Sequence, residues 1–143
     1  HWNMACLASA MLPLLELEHS AEESQALLRS ALEEFPIIYA AEWQQAFRLK
    51  LGLQSEQDSD ISLIERLLQA MHDSKVDFTN FFRSLGKVKK DSKSVEISQR
   101  DEFVDRKNID QWFADYLNRL QSEALSDADR KTLMDKVNPK YIL

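Results

Sequence analysis

The first candidates for chemistry in this sequence of 143 residues are acidic side chains that follow Ser20 and Ser126. Glu22 and Glu23 form one pair, and Asp127 and Asp129 form the other. Carboxylates can act as general acids or bases. At the start of a helix they far more often cap free N–H groups or complement the helix dipole. We therefore interpret both pairs as features of helix starts rather than as catalytic groups.

Patterns of metal ligands are weak throughout the chain. Asp58, Asp60 and Ser62 have the alternate spacing of calcium-loop ligands. The sixth position of such a loop needs glycine, and it is Leu63 here. The single cysteine, Cys6, cannot build a cysteine-rich zinc site or an internal disulfide, and we expect it to be a small buried side chain. We predict no metal ligand in this chain.

The glycine count excludes the common nucleotide loops. The two glycines, Gly52 and Gly86, are separated by 34 positions. A dinucleotide-binding loop needs three closely spaced glycines and a phosphate-binding loop needs two. We therefore expect no cofactor-binding residue and no catalytic residue in this chain.

Lysines cluster in one polar segment, Lys87–Lys93. Such a run could contact phosphates, but it lacks interleaved aromatic residues and the chain is acidic, with a net charge of −6 and a pI of about 5.1. We interpret residues 87–102 as one long mobile loop with a solvated surface. A nucleic-acid-binding module remains an alternative that rests on this loop alone.

Composition and periodicity predict an all-α fold. Glycine and proline together contribute five residues, far fewer than the turns of a sheet protein need. Apolar residues recur at helical spacing, which predicts an irregular bundle of about six helices in a single domain of residues 1–143. We expect the tryptophans Trp2, Trp43 and Trp112 to be core residues, since each lies on an apolar face.

Caps and breakers set the expected helix ends. Ser20 and Glu23 form a capping box, Asp77 and Ser126 are further N-caps, and Gly52 suits a left-handed C-cap. Pro13 is expected to end or kink the first helix, and Pro36 to kink the second helix or to divide it in two. Gly86 and the Asn138-Pro139 pair should end the fourth and last helices.

The inward faces follow from the same spacing. The predicted inward-facing residues of the first two helices are Met4, Leu7, Met11 and Leu14 on the first, and Leu28, Leu32, Phe35, Tyr39, Trp43, Phe47 and Leu51 on the second. Those of the next two are Ile61, Ile64, Leu68 and Met71 on the third, and Phe78, Phe81, Phe82 and Leu85 on the fourth. Those of the last two are Ile109, Trp112, Phe113, Tyr116, Leu117 and Leu120 on the fifth, and Leu133, Met134 and Val137 on the last.

Four local strings, in order and spanning nearly the whole chain, resemble the C-terminal part of the SelO/YdiU family. They are Trp2-Asn3 with Leu7-Ala8 and Leu12-Pro13-Leu14; Phe35, Tyr39 and Trp43 ahead of Lys50-Leu51-Gly52-Leu53; Asp77-Phe78-Thr79 with Phe82-Arg83 and Leu85; and Asn138-Pro139-Lys140-Tyr141-Ile142-Leu143. In the family pattern the last string continues with Arg-Asn.

The resemblance implies a kinase-like pseudokinase that binds ATP in an inverted pose with Mg²⁺ or Mn²⁺. It implies transfer of AMP to Ser, Thr or Tyr hydroxyls of substrate proteins. The family's nucleotide-gripping, metal-binding and base-like residues belong to a region upstream of His1, so none is carried over to this chain. We expect a piece of a longer protein, namely a helical C-terminal subdomain that is inactive alone and packs on the upstream kinase-like catalytic domain.

The resemblance places the first helix, around Trp2 and Asn3, closest to that catalytic domain, where exposed apolar surface would mark the interface. A bacterial cytoplasmic location is expected, or a mitochondrial one in a eukaryote; we expect no nucleic-acid or membrane partner. The alternative from a different class is a stand-alone helical module that binds other proteins.

Overall fold

The computed structural model describes residues 2–139, except for the side chain of Val95. Over this range the chain forms six α-helices and two 3₁₀ turns, with no strand, so the all-α prediction is confirmed. The helices are α1 Trp2–Leu15, α2 Ala21–Leu51, α3 Asp60–Ser74, α4 Phe78–Leu85, α5 Arg106–Gln121 and α6 Asp127–Val137. Residues 140–143 of the terminal string, and His1, lie outside the described residues.

The internal contacts of the chain define two compact units, residues 1–43 and residues 44–143. The first unit contains α1 and the greater part of α2. The second contains the end of α2 and helices α3 to α6. The two 3₁₀ turns, Ser94–Glu96 and Ser98–Glu102, also belong to the second unit.

The first unit is a helical hairpin whose turn is closed by the predicted capping box. The backbone N–H of Ser20 donates to Oε2 of Glu23 at 2.9 Å, and the N–H of Glu23 donates to Oγ of Ser20 at 3.3 Å. Both prolines lie inside helices: Pro13 in the last turn of α1, and Pro36 within α2, which is one helix of 31 residues rather than two.

The predicted inward face of α1 is wrong at three of its four positions, Met4 being the half-buried one. Leu7, Met11 and Leu14 are exposed, and α1 has no buried residue. The half-buried positions are Met4, Ala8, Leu12 and Leu15, which are spaced by four, four and three residues. The apolar residues of α1 occupy both stripes, so spacing alone could not select the one that faces its neighbour.

The core of the second unit forms where α3 and α5 pack together. Trp112, Phe113 and Tyr116 of α5 are buried, as predicted, beside Phe81 of α4. The polar atoms of Trp112 and Tyr116 are paired with backbone carbonyls: Trp112 Nε1 donates to Leu63 O at 2.8 Å, and Tyr116 Oη donates to Leu51 O at 2.7 Å. Aromatic rings therefore supply apolar bulk without leaving a buried donor unpaired.

The inward face of α3 differs from the prediction in part. Ile64 and Met71 are buried as predicted, whereas Ile61 is partly exposed. The buried face is extended by Leu63, Leu67 and Ala70, which the prediction missed. Leu68, the remaining predicted position, is half-buried. In α4, Phe78 is partly exposed, while its other three predicted positions are buried.

The predicted caps are confirmed at three helix starts. Asp77 accepts the N–H of Asn80 at 2.7 Å, and Ser126 Oγ accepts the N–H of Asp129 at 3.1 Å. Ser20 completes the set through its capping box. The cap of α5, Asp105, was not predicted; it accepts the N–H of Asn108 at 3.0 Å.

Residues 87–102 contain no α-helix, as predicted, but parts of the segment are firmly attached. Val88, Ile97 and Gln99 are buried. Lys90 Nζ donates to Glu123 O at 2.5 Å, and Gln121 Nε2 donates to Lys90 O at 2.7 Å. Exposed side chains such as Lys87, Lys89 and Lys93 therefore alternate with attached positions along the segment.

Candidate functional site

The predicted acidic candidates lie at helix starts. Glu23 belongs to the capping box, which lowers its pKa through the hydrogen bonds from Ser20. Asp129 pairs with the capping Ser126, and Asp127 accepts the backbone N–H of Lys90 at 3.3 Å. Among the described residues no group of three or more His, Cys, Asp or Glu side chains could hold a metal ion.

Two residues of α1, a tryptophan and the cysteine, were predicted to be buried and are exposed instead. Trp2 is 79% exposed, and Cys6 is exposed as well. By contrast Trp112 of α5 is buried and Trp43 of α2 is half-buried. The difference arises because α1 has no buried residue, whereas α5 is surrounded by other elements of its unit.

Large apolar side chains are exposed across the first unit. We call six of them the hairpin surface: Trp2, Leu7 and Leu14 on α1, and Ile37, Ile38 and Tyr39 on α2. Each of these side chains is at least half exposed. Single exposed apolar residues are ordinary, but a group of this size on one small unit is typical of an interaction surface.

A buried ionic cluster lies in the second unit, where the end of α5 meets the start of α3. Arg119 Nε donates to Asp60 Oδ1 at 2.7 Å, and Arg119 Nη1 donates to Glu123 Oε1 at 2.7 Å. The three side chains are at most 4% exposed. Arg119 also donates to Ser55 O at 2.8 Å. The cluster thus ties α3 and α5 to the connector that follows α2.

Glu123 receives several donors besides Arg119. The N–H of Gln54 donates to its Oε2 at 2.9 Å, and Ser55 Oγ donates to its Oε1 at 2.6 Å. Burial by itself would raise the pKa of Glu123, but these hydrogen bonds outweigh burial and the pKa lies below its ordinary value. Glu123 is therefore ionised at neutral pH and paired on every side, which is the environment of a structural carboxylate.

A second buried arginine, Arg130 of α6, contacts the same core. Its Nη1 donates to Tyr116 Oη at 3.3 Å and its Nη2 donates to Val88 O. Tyr116 in turn donates to Leu51 O at 2.7 Å, and burial raises the pKa of its hydroxyl well above the ordinary value. Arg130 also packs against Gly52, whose φ of +75° is the predicted left-handed cap.

A clamp of three residues holds the end of α6. Asn138 Nδ2 donates to Lys50 O at 3.0 Å, Lys50 Nζ donates to Asn138 Oδ1 at 3.4 Å, and Arg83 Nη1 donates to Asn138 O at 2.9 Å. Arg83 also donates to Asp135 O at 2.8 Å. The last carbonyls of a helix have no partners within it, and here side chains from α2 and α4 supply them.

The clamp and the two buried arginines were not identified as site residues from the sequence, although a signal was present. Arg119 is spaced three residues from Tyr116, on the apolar face of α5, and Arg130 is spaced four residues from Met134. A lone charge within an apolar line indicates a buried ion pair or hydrogen-bond network. For Asn138 the sequence predicted only that the residue ends the last helix together with Pro139.

The second unit has a cleft with several polar and charged side chains in its lining. This cleft, of about 590 Å³, lies along α3 and α5 and is lined by Arg66, Asp115, Asn118 and Gln121 among others. Arg66 and Asp115 already pair with each other across it at 2.8 Å. Over the described residues, no helix is long and apolar enough to cross a membrane.

Comparison with known proteins gives a consistent family. The sequence profile of the family described as protein adenylyltransferase SelO matches residues 1–143. A protein nucleotidyltransferase YdiU of Burkholderia lata is 41% identical over 150 residues, which cover 100% of this chain and 29% of that protein. The protein of the same name from Cupriavidus metallidurans is 42% identical over 148 residues, covering 99% of this chain and 27% of that protein. The chain therefore spans less than a third of the length of these relatives.

Proposed function

This chain belongs to the SelO family, and we propose that it is the C-terminal helical part of a longer protein adenylyltransferase, here called the parent protein. In this proposal the parent protein transfers AMP from ATP to Ser, Thr or Tyr hydroxyls of other proteins. The family match over all 143 residues is the observation that carries the proposal. The fraction of the relatives that is matched, 29%, supports the view that further parts of the protein carry the reaction.

The chemistry of the reaction supports this division of labour. Nucleotidyl transfer needs cationic groups and metal ions at the phosphates, since charge develops there in the transition state. In the second unit the most buried cations already have partners: Arg119 with Asp60 and Glu123, and Arg130 with Tyr116 and Val88. These arginines hold the helices together, so we assign this chain a structural role, with ATP and Mg²⁺ or Mn²⁺ bound elsewhere in the parent protein.

A stand-alone module that binds other proteins is the second candidate. The hairpin surface favours it, because exposed apolar side chains of this kind suit a protein partner. The two candidates differ in what must accompany this chain in the cell. An adenylyltransferase subdomain requires the parent protein, whereas a stand-alone module requires only its partner.

We place the parent protein in the cytoplasm of a bacterium in this proposal.

The test compares the parent protein with this chain expressed alone. We expect the parent protein to transfer labelled AMP from ATP to a generic protein substrate or to itself in the presence of Mg²⁺ or Mn²⁺. We expect the isolated 143 residues to show neither transfer nor ATP binding by calorimetry. Tight ATP binding by the isolated chain would contradict the structural role, and the absence of AMP transfer by the parent protein would contradict the enzymatic one.

A further inference from the structure

Helix α1 is uncharged and largely apolar, and its polar residues are Asn3 and Ser9. Its 14 residues, Trp2–Leu15, include no acidic or basic side chain. A helix at the surface of a soluble protein normally exposes a charged face, and a helix that is apolar all round is normally buried on all sides. In the structure α1 has no buried residue at all. The sequence of α1 is therefore that of a core helix, whereas its surroundings in this chain cover it only in part.

Two stripes of α1 differ in their degree of burial. Met4, Ala8, Leu12 and Leu15 are half-buried within the first unit. The other stripe contains Leu7 and Leu14, which are 51% and 66% exposed. One side of the helix is thus already occupied within the hairpin, and the other side is left for a further partner. Ser24 of α2, fully buried, shows that the occupied side is closely packed.

The charge of the chain is concentrated in the same unit. Residues 1–43 contain seven carboxylates and one arginine, a net charge of −6, which equals the net charge of the whole chain. Residues 44–143 contain 17 acidic and 17 basic residues and are neutral. The carboxylates follow α1 in the turn, as Glu16 and Glu18, or lie on α2, as Glu33 and Glu34. The unit that carries the hairpin surface is therefore also the negatively charged unit of the chain.

We propose that the hairpin surface docks onto the remainder of the parent protein, on an apolar area flanked by lysine and arginine side chains. This inference rests on the proposed function, because it takes its partner from the same longer protein. More than two thirds of the relatives' length lies outside the matched part, so the partner is covalently attached. An attached partner acts at a high effective concentration, which makes even a modest interface permanent.

Charge argues against the other two occupants. A second copy of the chain would bring two units of net charge −6 together, and like charges at an interface are repulsive. The cytoplasmic face of a membrane is itself negative and would repel the same unit. A neighbouring surface with basic residues has the complementary charge. A basic surface on the remainder of the parent protein would therefore complement the charge of the hairpin, and it is attached to the same chain.

The experiment measures amide hydrogen exchange in the intact parent protein. The test variant is Leu7→Gln with Leu14→Gln, since glutamine removes apolar surface while retaining good helix propensity. The control is Ile61→Gln on α3, a partly exposed aliphatic residue outside the hairpin. We expect exchange across α1 to become at least about tenfold faster in the double variant, because opening of the docked helix becomes easier. The control should leave α1 unchanged.

Three results would overturn the proposal. The first is equally fast exchange of α1 in the wild-type parent protein and in the chain expressed alone. The second is protection of α1 that appears only in a dimer by sedimentation, which would identify a second copy as the partner. The third is protection that appears only with anionic vesicles. Failure of AMP transfer with α1 still protected would reject the proposed function and leave the docking intact, so the two failures are distinguishable.

Discussion

Arg119, in the last turn of α5, donates from Nε to Oδ1 of Asp60, the first residue of α3, at 2.7 Å, and both side chains are almost fully buried. The two residues are 59 positions apart in the sequence. Their pairing joins the end of one central helix to the start of the other. Buried ions that lose a partner are costly because the remaining charge has no water to solvate it.

The first prediction concerns this buried pair. We expect Asp60→Asn to lower the free energy of unfolding by about 3 kcal/mol, since it leaves Arg119 with one carboxylate partner instead of two. Urea unfolding followed by circular dichroism measures the change. The control is Asp115→Asn, which breaks the exposed pair with Arg66 and should cost less than about 1 kcal/mol. Equal losses of unfolding free energy in the two variants would show that the buried pair stabilises the fold no more than the exposed pair does.

The second prediction concerns acid. The pKa of Glu123 is lowered in the folded chain, as are those of Asp110, paired with Arg100, and Asp135, paired with Lys131. A carboxylate with a lowered pKa stabilises the fold above its unfolded pKa of about 4, and this stabilisation disappears as the pH falls through the folded value. We therefore expect the melting temperature to fall steadily below about pH 4.5.

Glu123→Gln separates this effect from general acid denaturation. The variant should be less stable than the wild type at pH 7 and should lose less stability on acidification, because its amide does not titrate. Glu65→Gln, on the exposed side of α3, is the control and should retain the wild-type slope of melting temperature against pH. A wild-type slope in Glu123→Gln would contradict the assignment.

The third prediction uses the two glycines as a matched pair. Gly52 has a φ of +75°, and a Cβ there would lie 2.7 Å from Met134 Sδ and 2.8 Å from Arg130 Cγ. We expect Gly52→Ala to destabilise the chain by about 2–4 kcal/mol, through backbone strain and overpacking. At Gly86 the nearest atoms are 3.6 Å away, so Gly86→Ala should be within about 0.5 kcal/mol of the wild type. Comparable losses would reject the packing argument.

The fourth prediction concerns the clamp on α6. Asn138→Ala removes the donor to Lys50 O and one acceptor of Lys50 Nζ, two part-buried hydrogen bonds between α2 and the end of α6. We expect a loss of about 1–3 kcal/mol and faster hydrogen exchange in the last turn of α6. Asn118→Ala, at an exposed position within α5, is the control and should be neutral or slightly stabilising because alanine favours helices. Unchanged exchange at the end of α6 would contradict the role of the clamp.

Much of the fold followed from local chemistry. The capping box of Ser20 and Glu23, the caps at Asp77 and Ser126, and the left-handed Gly52 each depend on hydrogen bonds or backbone angles within a few residues. The prolines agree in part: α1 ends two residues after Pro13, whereas Pro36 does not divide α2 in two. Both Pro13 and Pro36 lie inside helices, because the remaining hydrogen bonds of a long helix can outweigh the one that proline removes.

The candidate site was much less accessible to sequence reasoning. Arg119 pairs with Asp60, which is 59 positions away in the sequence, and Asn138 pairs with Lys50, which is 88 positions away. Local residue spacing gives no information about pairs that are so far apart in the sequence. The sequence showed only that a charge interrupts an apolar line. The identity of its partner depends on which helices lie side by side in the folded chain.

The sequence by itself determined the helices, the caps at Ser20, Asp77 and Ser126, and the family, since these depend on short-range bonding and on strings of residues in order. The tertiary structure decided which apolar stripe of α1 is covered and which remains open to solvent. Burial depends on what else is packed nearby, and the apolar residues of α1 occupy more than one stripe, so its sequence does not select the stripe that is covered.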